Sequence, residues 1–260
     1  MTINFALSEP IDEQFRCRPN FSSDSTLNCS LLNGQGELYW DGIGDSGVPK
    51  PFFMVISVQD SIFRNINLLN CPHHCTILEG SDGVTLTNWN IDCSYGEGHG
   101  GKNTDGFDII SANNVVIKDS SVVNQDDCVA VNQGFNMSFS GLYCNGTHGI
   151  SLSVGFSQLS YTHTNGGPGE ITDITYENIR FSDVHKYGVN IQEDYANGRG
   201  TGIAKANIPI RNLVFRDIQG TLTEGSGKTM PVYIFCADGG CANWSWSDVS
   251  IGEGGPFQLV

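Results

Sequence analysis

"NTDGFDII" (103–110) and "NQDDCVAV" (124–131) decide how this sequence is read. Each sets aspartates inside an otherwise apolar, strand-like run. Turned into a core without partners, Asp105, Asp126 and Asp127 would be costly to desolvate. Their spacing offers another solution. Asp105, Asp126 and His148 follow one another at a near-constant interval, about twenty-odd residues, which is the length of one solenoid coil. If one coil of chain takes that interval, these three hold equivalent positions on three successive coils, with Asp127 beside Asp126. They then line a surface groove as a column, while Ile109, Ile110, Val129 and Val131 supply inward side chains.

The rest of the chain supports coils. Short alternating segments begin at Gly83, Asn114, Asn136, Asp173, Asn212 and Asn243. Most read apolar, any, apolar, any, then Asn, Asp or Gly. Period-two alternation with β-branched and aromatic residues signals strand, and the Asn/Asp/Gly punctuation signals turn. No stretch of twelve or more residues carries a helical stripe. The strand spacings are about one or two multiples of twenty-odd residues, which suggests a solenoid. The expected fold is all-β, a single-stranded right-handed parallel β-helix, its coils stacked at about 4.8 Å. A β-sandwich is the alternative, but it calls for hairpin signals every eight to twelve residues. The expected division is an atypical, poorly ordered N-terminal segment at 1–30 and a β-helix domain at 31–260.

Bulk properties narrow the function. The chain has 260 residues, 32 of them Gly, and a net charge of −15. A nucleic-acid partner would call for a basic face, so none is expected. No apolar run approaches the roughly 18 residues of a membrane span, so no membrane partner is expected either. Nine cysteines and five N-x-S/T sequons (Asn20, Asn28, Asn136, Asn145, Asn243) point to an oxidising, secretory route. "MTINFALSEPIDEQFRC" lacks the basic and apolar regions of a signal peptide. The expectation is a start further upstream, or an incomplete chain with an odd cysteine left over.

A column of carboxylates beside an imidazole suits glycoside hydrolysis, which needs one protonated acid and one ionised base or nucleophile. Crowded aspartates raise at least one pKa and so separate the roles, and they titrate as a group. A lone Asp-Asp pair is more often a turn, and a lone His a surface residue; the shared register is what singles these out. Clustered carboxylates can also hold calcium, but they form no EF-hand loop here and His is a poor calcium ligand. No metal or cofactor is expected. "CPHHC" (71–75) can be read as half a zinc site or as a turn whose cysteine pairs locally. The latter fits a secreted chain better.

At these residues the sequence resembles the polygalacturonases of glycoside hydrolase family 28, most of all their fungal endo-acting branch. The matching stretches are "NTDGFD" (103–108), "NQDDCVAVN" (124–132), "THGISLSVG" (147–155), "YGVNIQEDYANG" (187–198) and "CANWSWSDVSI" (241–251). "LLNGQGELYWDG" (31–42) and "ILEGSDGVTLTNWNID" (77–92) match more weakly. The resemblance implies a secreted, monomeric enzyme that hydrolyses α-1,4-galacturonan in pectin with inversion. It implies Asp126 as general acid, Asp105 and Asp127 as activators of the attacking water, and His148 as support for the acid. Asn103 and Tyr195 fall at cleft positions, and Cys128–Cys144 and Cys236–Cys241 match family disulfides. Spacing alone leans toward retention, since coils are about 4.8 Å apart and inverting carboxyls about 6.5–9.5 Å.

The sequence also departs from the family. An Arg-x-Lys pair that holds substrate carboxylates is missing, and about one coil is absent after "THGISLSVG". Gln158 and Leu159 stand near where the cations belong. Lys102, Arg199, Lys205 and His185 are candidate replacements, Lys102 being carried as a substrate-binding residue. The family's end caps are also not found, which leaves a truncated or mis-spliced product, or a divergent short protein. Two alternatives follow: a non-catalytic pectin-binding pseudoenzyme, or a hydrolase of a substituted, less charged pectin. A calcium-dependent lyase is the near neighbour, disfavoured because few cations flank the aspartates.

Overall fold

A computed structural model describes residues 2–5, 31–154, 169–196, 199–223 and 229–252. Nearly all its regular structure is strand. The helical pieces among the described residues are 3₁₀ turns at Gly36–Leu38, Gly44–Ser46 and Ser94–Gly96.

The strands stack in parallel on three faces. Thr76–Thr87, Phe107–Val123, Gly134–Asn145, Ile171–Val184, Ile210–Leu222 and Cys241–Ile251 pair each with the next. The start of Phe107–Val123 pairs with Asp127–Val131, and Gly149–Ser153, Tyr187–Gln192 and Met230–Phe235 continue that second face. Leu32–Asn33, Asn67–Leu69 and Asn90–Asp92 lead to the end of Phe107–Val123 on the third. This is the right-handed parallel β-helix that the alternation implies. Among the described residues two pairs are antiparallel: Thr2–Phe5 against Met54–Ser57, and Tyr195–Ala196 against Arg199–Gly200. Within the atypical segment 1–30, residues other than 2–5 lie outside the described residues.

Coil length varies more than the spacing suggested. Phe107 pairs with Val129, and Val129 with Ile150, both at the interval that separates Asp105, Asp126 and His148. Val84, however, pairs directly with Val115, and Ile174 with Leu213, each much further along the chain. These are single coils with loops inserted, not two coils. The ladders resume on either side of them, with register shifts at Leu78–Ser81 and Phe181–Val184.

The corners explain the Asn/Asp/Gly punctuation. Gly83, Asn114, Asn136, Asp173, Asn212 and Asn243 all have φ between 53° and 68°. At the far end of each short strand Asn88, Asp119, Gly141, Asn178, Asp217 and Asp248 do the same, with φ between 50° and 63°. The left-handed region is tolerated by Gly and, less well, by Asn and Asp. Each coil therefore turns twice around one short run of strand. The asparagine side chains also bond down the stack: Asn136 Nδ2 donates to Asn114 Oδ1 at 2.6 Å, and Asn243 Nδ2 to Asn212 Oδ1 at 3.2 Å.

Inside, like stacks on like. Leu86, Ile117, Phe139, Tyr176, Phe215 and Trp246 hold one register position on successive coils. The rings from Phe139 to Trp246 lie 4.0–5.2 Å apart between centroids, worth about 0.5–1.5 kcal/mol per pair beyond their burial. Ile109, Val129 and Val131 are fully buried as expected, but Ile110 is only half-buried. Neighbouring strand residues face opposite sides, so Ile109 and Ile110 cannot both point inward.

Candidate active site

Backbone bonds between coils align the column. Cys75 N–H donates to Asp105 O (2.8 Å), Gly106 N–H to Asp127 O (2.9 Å), and His148 N–H to Asp126 O (2.8 Å). Tyr187 N–H then donates to His148 O (3.3 Å). The coils bring these residues together one residue out of the expected register: Phe107 pairs with Val129, which sets Asp105 level with Asp127 rather than Asp126, and Gly149 pairs with Asp127, which sets His148 level with Asp126. Gly149 has φ +94°, and a Cβ there would sit 1.8 Å from Tyr187 O. Only glycine lets the Tyr187 coil close onto the His148 coil.

His148 Nδ1 lies 2.9 Å from Asp126 Oδ1, and Asn103 Nδ2 donates to Asp126 Oδ2 at 3.3 Å. Asn103 itself sits at φ 54° in the loop before Phe107. Asp126 and Asp127 are half-buried, whereas Asp105 is buried. The groove is thus partly closed at Asp105, deeper than a surface column would be.

The charges divide unevenly. Burial alone would raise the Asp126 pKa; the charge and hydrogen bond of His148, with Lys186 and His74 behind them, outweigh it and hold Asp126 below its ordinary value. Asp127 is pushed up to about 7, first by burial and then by repulsion from Asp126. Asp105 is raised too, for the same two reasons in the same order. Burial works against the His148 cation, but Asp126 and Asp127 outweigh that and raise its pKa. The resting state is therefore an Asp126–imidazolium pair beside two carboxyls that favour holding a proton. The imidazolium stores a proton one hydrogen bond away from Asp126, and this pair can deliver it through either group.

Tyr195 joins the site. Burial raises its phenol, and the charges of Asp127, Asp126 and Asp105 add to that. Lys102 is exposed in the loop beside Asn103, and it is not among the main charges that shift Asp105, Asp126 or Asp127. Arg199 is exposed on its short hairpin, and His185 N–H donates to Thr147 O at 2.8 Å. Lys205 N–H donates to Glu193 O at 2.9 Å. None of these three is a main charge on the aspartates either. The lysine that does act on Asp126 and Asp127 is Lys186. It comes close because Ile150 pairs directly with Val189. Gln158 and Leu159 lie outside the described residues.

Sequence reasoning also missed His74 and Asp108. His74 Nε2 lies 3.7 Å from Asp105 Oδ1, and its Nδ1 contacts Asp108 Oδ2. Four groupings among the described residues bring three ligand atoms within 4.8 Å of one another: His74/Asp105/Asp108, Asp126/Asp127/His148, the buried thiols Cys71/Cys75/Cys93, and Glu193 with Cys236 and Cys241.

Cys128–Cys144 and Cys236–Cys241 are disulfides. Cys71, Cys75 and Cys93 are free thiols, fully buried, with Cys75 Sγ and Cys93 Sγ 3.7 Å apart. The local pairing expected for "CPHHC" does not occur, because Cys75 turns toward Cys93 on the next coil. Cys17 and Cys29 lie outside the described residues.

The sequence model described as "Glycosyl hydrolases family 28" matches residues 23–163 and 161–259. A polygalacturonase of Phaedon cochleariae is 43% identical over 249 residues, covering 85% of this chain and 67% of its own. A probable endopolygalacturonase D of Emericella nidulans is 36% identical over 256 residues, covering 86% of this chain and 49% of its own. The chain thus spans about half to two thirds of the length of such relatives. Endopolygalacturonase I of Stereum purpureum, solved with two galacturonates, superposes with a TM-score of 0.57 at 26% identity, over 88% of this chain and 78% of that one. From the matched residues and the shared coil architecture, the chain belongs to glycosyl hydrolase family 28.

Proposed function

We propose that the chain is a secreted, monomeric glycosidase that hydrolyses α-1,4-galacturonan linkages in pectin with inversion of configuration. One observation carries the reading: Asp105, Asp126, Asp127 and His148 converge from successive coils, with His148 2.9 Å from Asp126. The relatives' names, polygalacturonase and endopolygalacturonase, supply the substrate class.

In this reading the imidazolium of His148 hands its proton to Asp126 across their hydrogen bond, and Asp126 passes it on to the leaving oxygen. Burial and the charge of Asp126 raise both Asp105 and Asp127, and whichever of the two is ionised draws a proton from the attacking water. Asn103 orients Asp126, and Tyr195 lines the cleft. Lys186 supplies positive charge that a polyanionic substrate needs near a chain of net charge −15.

The test is release of reducing ends from polygalacturonate, with the anomer of the first product read by NMR. Chelator-insensitive turnover giving the inverted anomer is expected. Retained configuration would move one aspartate to the role of nucleophile. Unsaturated, chelator-sensitive products would mark a lyase, and binding without turnover a pseudoenzyme. Faster turnover of substituted than of plain pectin would mark the less charged substrate.

A further inference from the structure

His74 lies outside every motif that points to the column, yet it sits directly behind it. Its Nε2 is 3.7 Å from Asp105 Oδ1, a buried oxygen with no hydrogen-bond partner among the described residues. Its Nδ1 contacts Asp108 Oδ2. The ring stacks on His73 with centroids 4.3 Å apart and meets Phe52 edge-on at 5.2 Å. His73 is held in turn by Asp45, 2.7 Å from its Nε2. The imidazole is clamped by aromatic neighbours on one side and faces carboxylates on the other.

We infer that His74 is a positioning residue whose imidazolium opposes protonation of Asp105 and so keeps the water-activating carboxyls in their working charge state. This rests on the hydrolase reading above. The column is then bracketed by two imidazoles, His148 against Asp126 at one end and His74 against Asp105 and Asp108 at the other.

The surrounding charges agree. Burial disfavours the His74 cation, but Asp105, Asp108 and Asp126 face it and raise its pKa to about 10. On its own segment His73 is pushed the other way, first by burial and then by the charge of His74. A neutral ring stacked on a charged one is the favourable pairing. For Asp105, burial and Asp126 raise the pKa, with Asp108 and Asp127 adding to them; His74 is the group that lowers it. An unpartnered buried carboxylate is costly, and His74 is the counter-charge that offsets this.

The experiment compares kcat/KM against pH on polygalacturonate for the native protein, His74→Gln and His74→Lys. That profile reports the free enzyme's acid and base. Gln keeps a donor to Asp108 but no charge, so the acidic limb moves to higher pH by about one unit or more. Lys restores the charge and returns the limb toward its native position. A Gln profile that is lower but not displaced overturns the inference, as does a Lys profile that coincides with the Gln profile. NMR titration of the His74 ring in the native protein needs no variant and no turnover. Protonation persisting above pH 8 is expected; a midpoint near the ordinary value of about 6.5 overturns the inference. An inactive native protein would fail the hydrolase reading, while the ring titration would still test His74.

Discussion

Replacing Asp127 by Asn should stabilise the protein at alkaline pH and leave it unchanged at acid pH. The folded state raises this carboxyl from 3.8 to about 7. A raised carboxyl binds its proton more tightly when folded. Its contribution to stability is therefore fully present below pH 4 and is lost as pH rises through 7. Above that, the folded state carries a penalty of up to about 4 kcal/mol at 1.36 kcal/mol per pH unit. Asp127 is half-buried, and groove water screens the repulsion, which brings the penalty to about 2 kcal/mol. Asn is isosteric and carries no charge, so it removes the penalty. Thermal melts at pH 4 and pH 8 measure this directly. For a chain of this size, about 2 kcal/mol corresponds to a rise of roughly 4–8 °C at pH 8 and none at pH 4. A variant that melts lower at pH 8, or higher by the same increment at both values, would refute the raised carboxyl that burial and Asp126 give Asp127.

Two other outcomes follow from the same structure. Lys186→Gln should raise KM for polygalacturonate several-fold at low salt and much less at high salt, where exposed charges are screened within about 8–10 Å; initial rates at two ionic strengths check this. Asn212→Gly should cost little more than the lost side-chain bonds, while Asn212→Ala should cost a further 1–2 kcal/mol or so, because Asn212 sits at φ 53°; denaturant melts of the two variants compare the costs.

The fold was readable because its rule is local. Every coil repeats apolar alternation between corner residues able to take positive φ, and both signals survive in single segments such as that starting at Asn136. The Asp105, Asp126 and His148 column was readable because those coils carry no inserted loops. One coil earlier the counting fails. Thr76 pairs directly with Phe107, a longer step than the next coils take, because the chain around Ser94–Gly96 and the glycines after it bulges outward between them. Counting one regular coil back from Asp105 lands near Gly83, not His74. Lys186 was hidden in the same way, since a long insertion separates Ile150 from its partner Val189. The cysteine cluster was missed because "CPHHC" looks self-contained, whereas Cys75 meets Cys93 across coils. Residues that converge through long loops leave no spacing to count.

The central claim is that carboxylates delivered from neighbouring coils break the glycosidic bond, with Asp126 passing on the proton. Reducing-end release from polygalacturonate by Asp126→Asn, with circular dichroism as the check on the fold, tests it most directly. Loss of about 10²–10⁴-fold in rate with an unchanged spectrum is expected. Native-like turnover by the folded variant would contradict it.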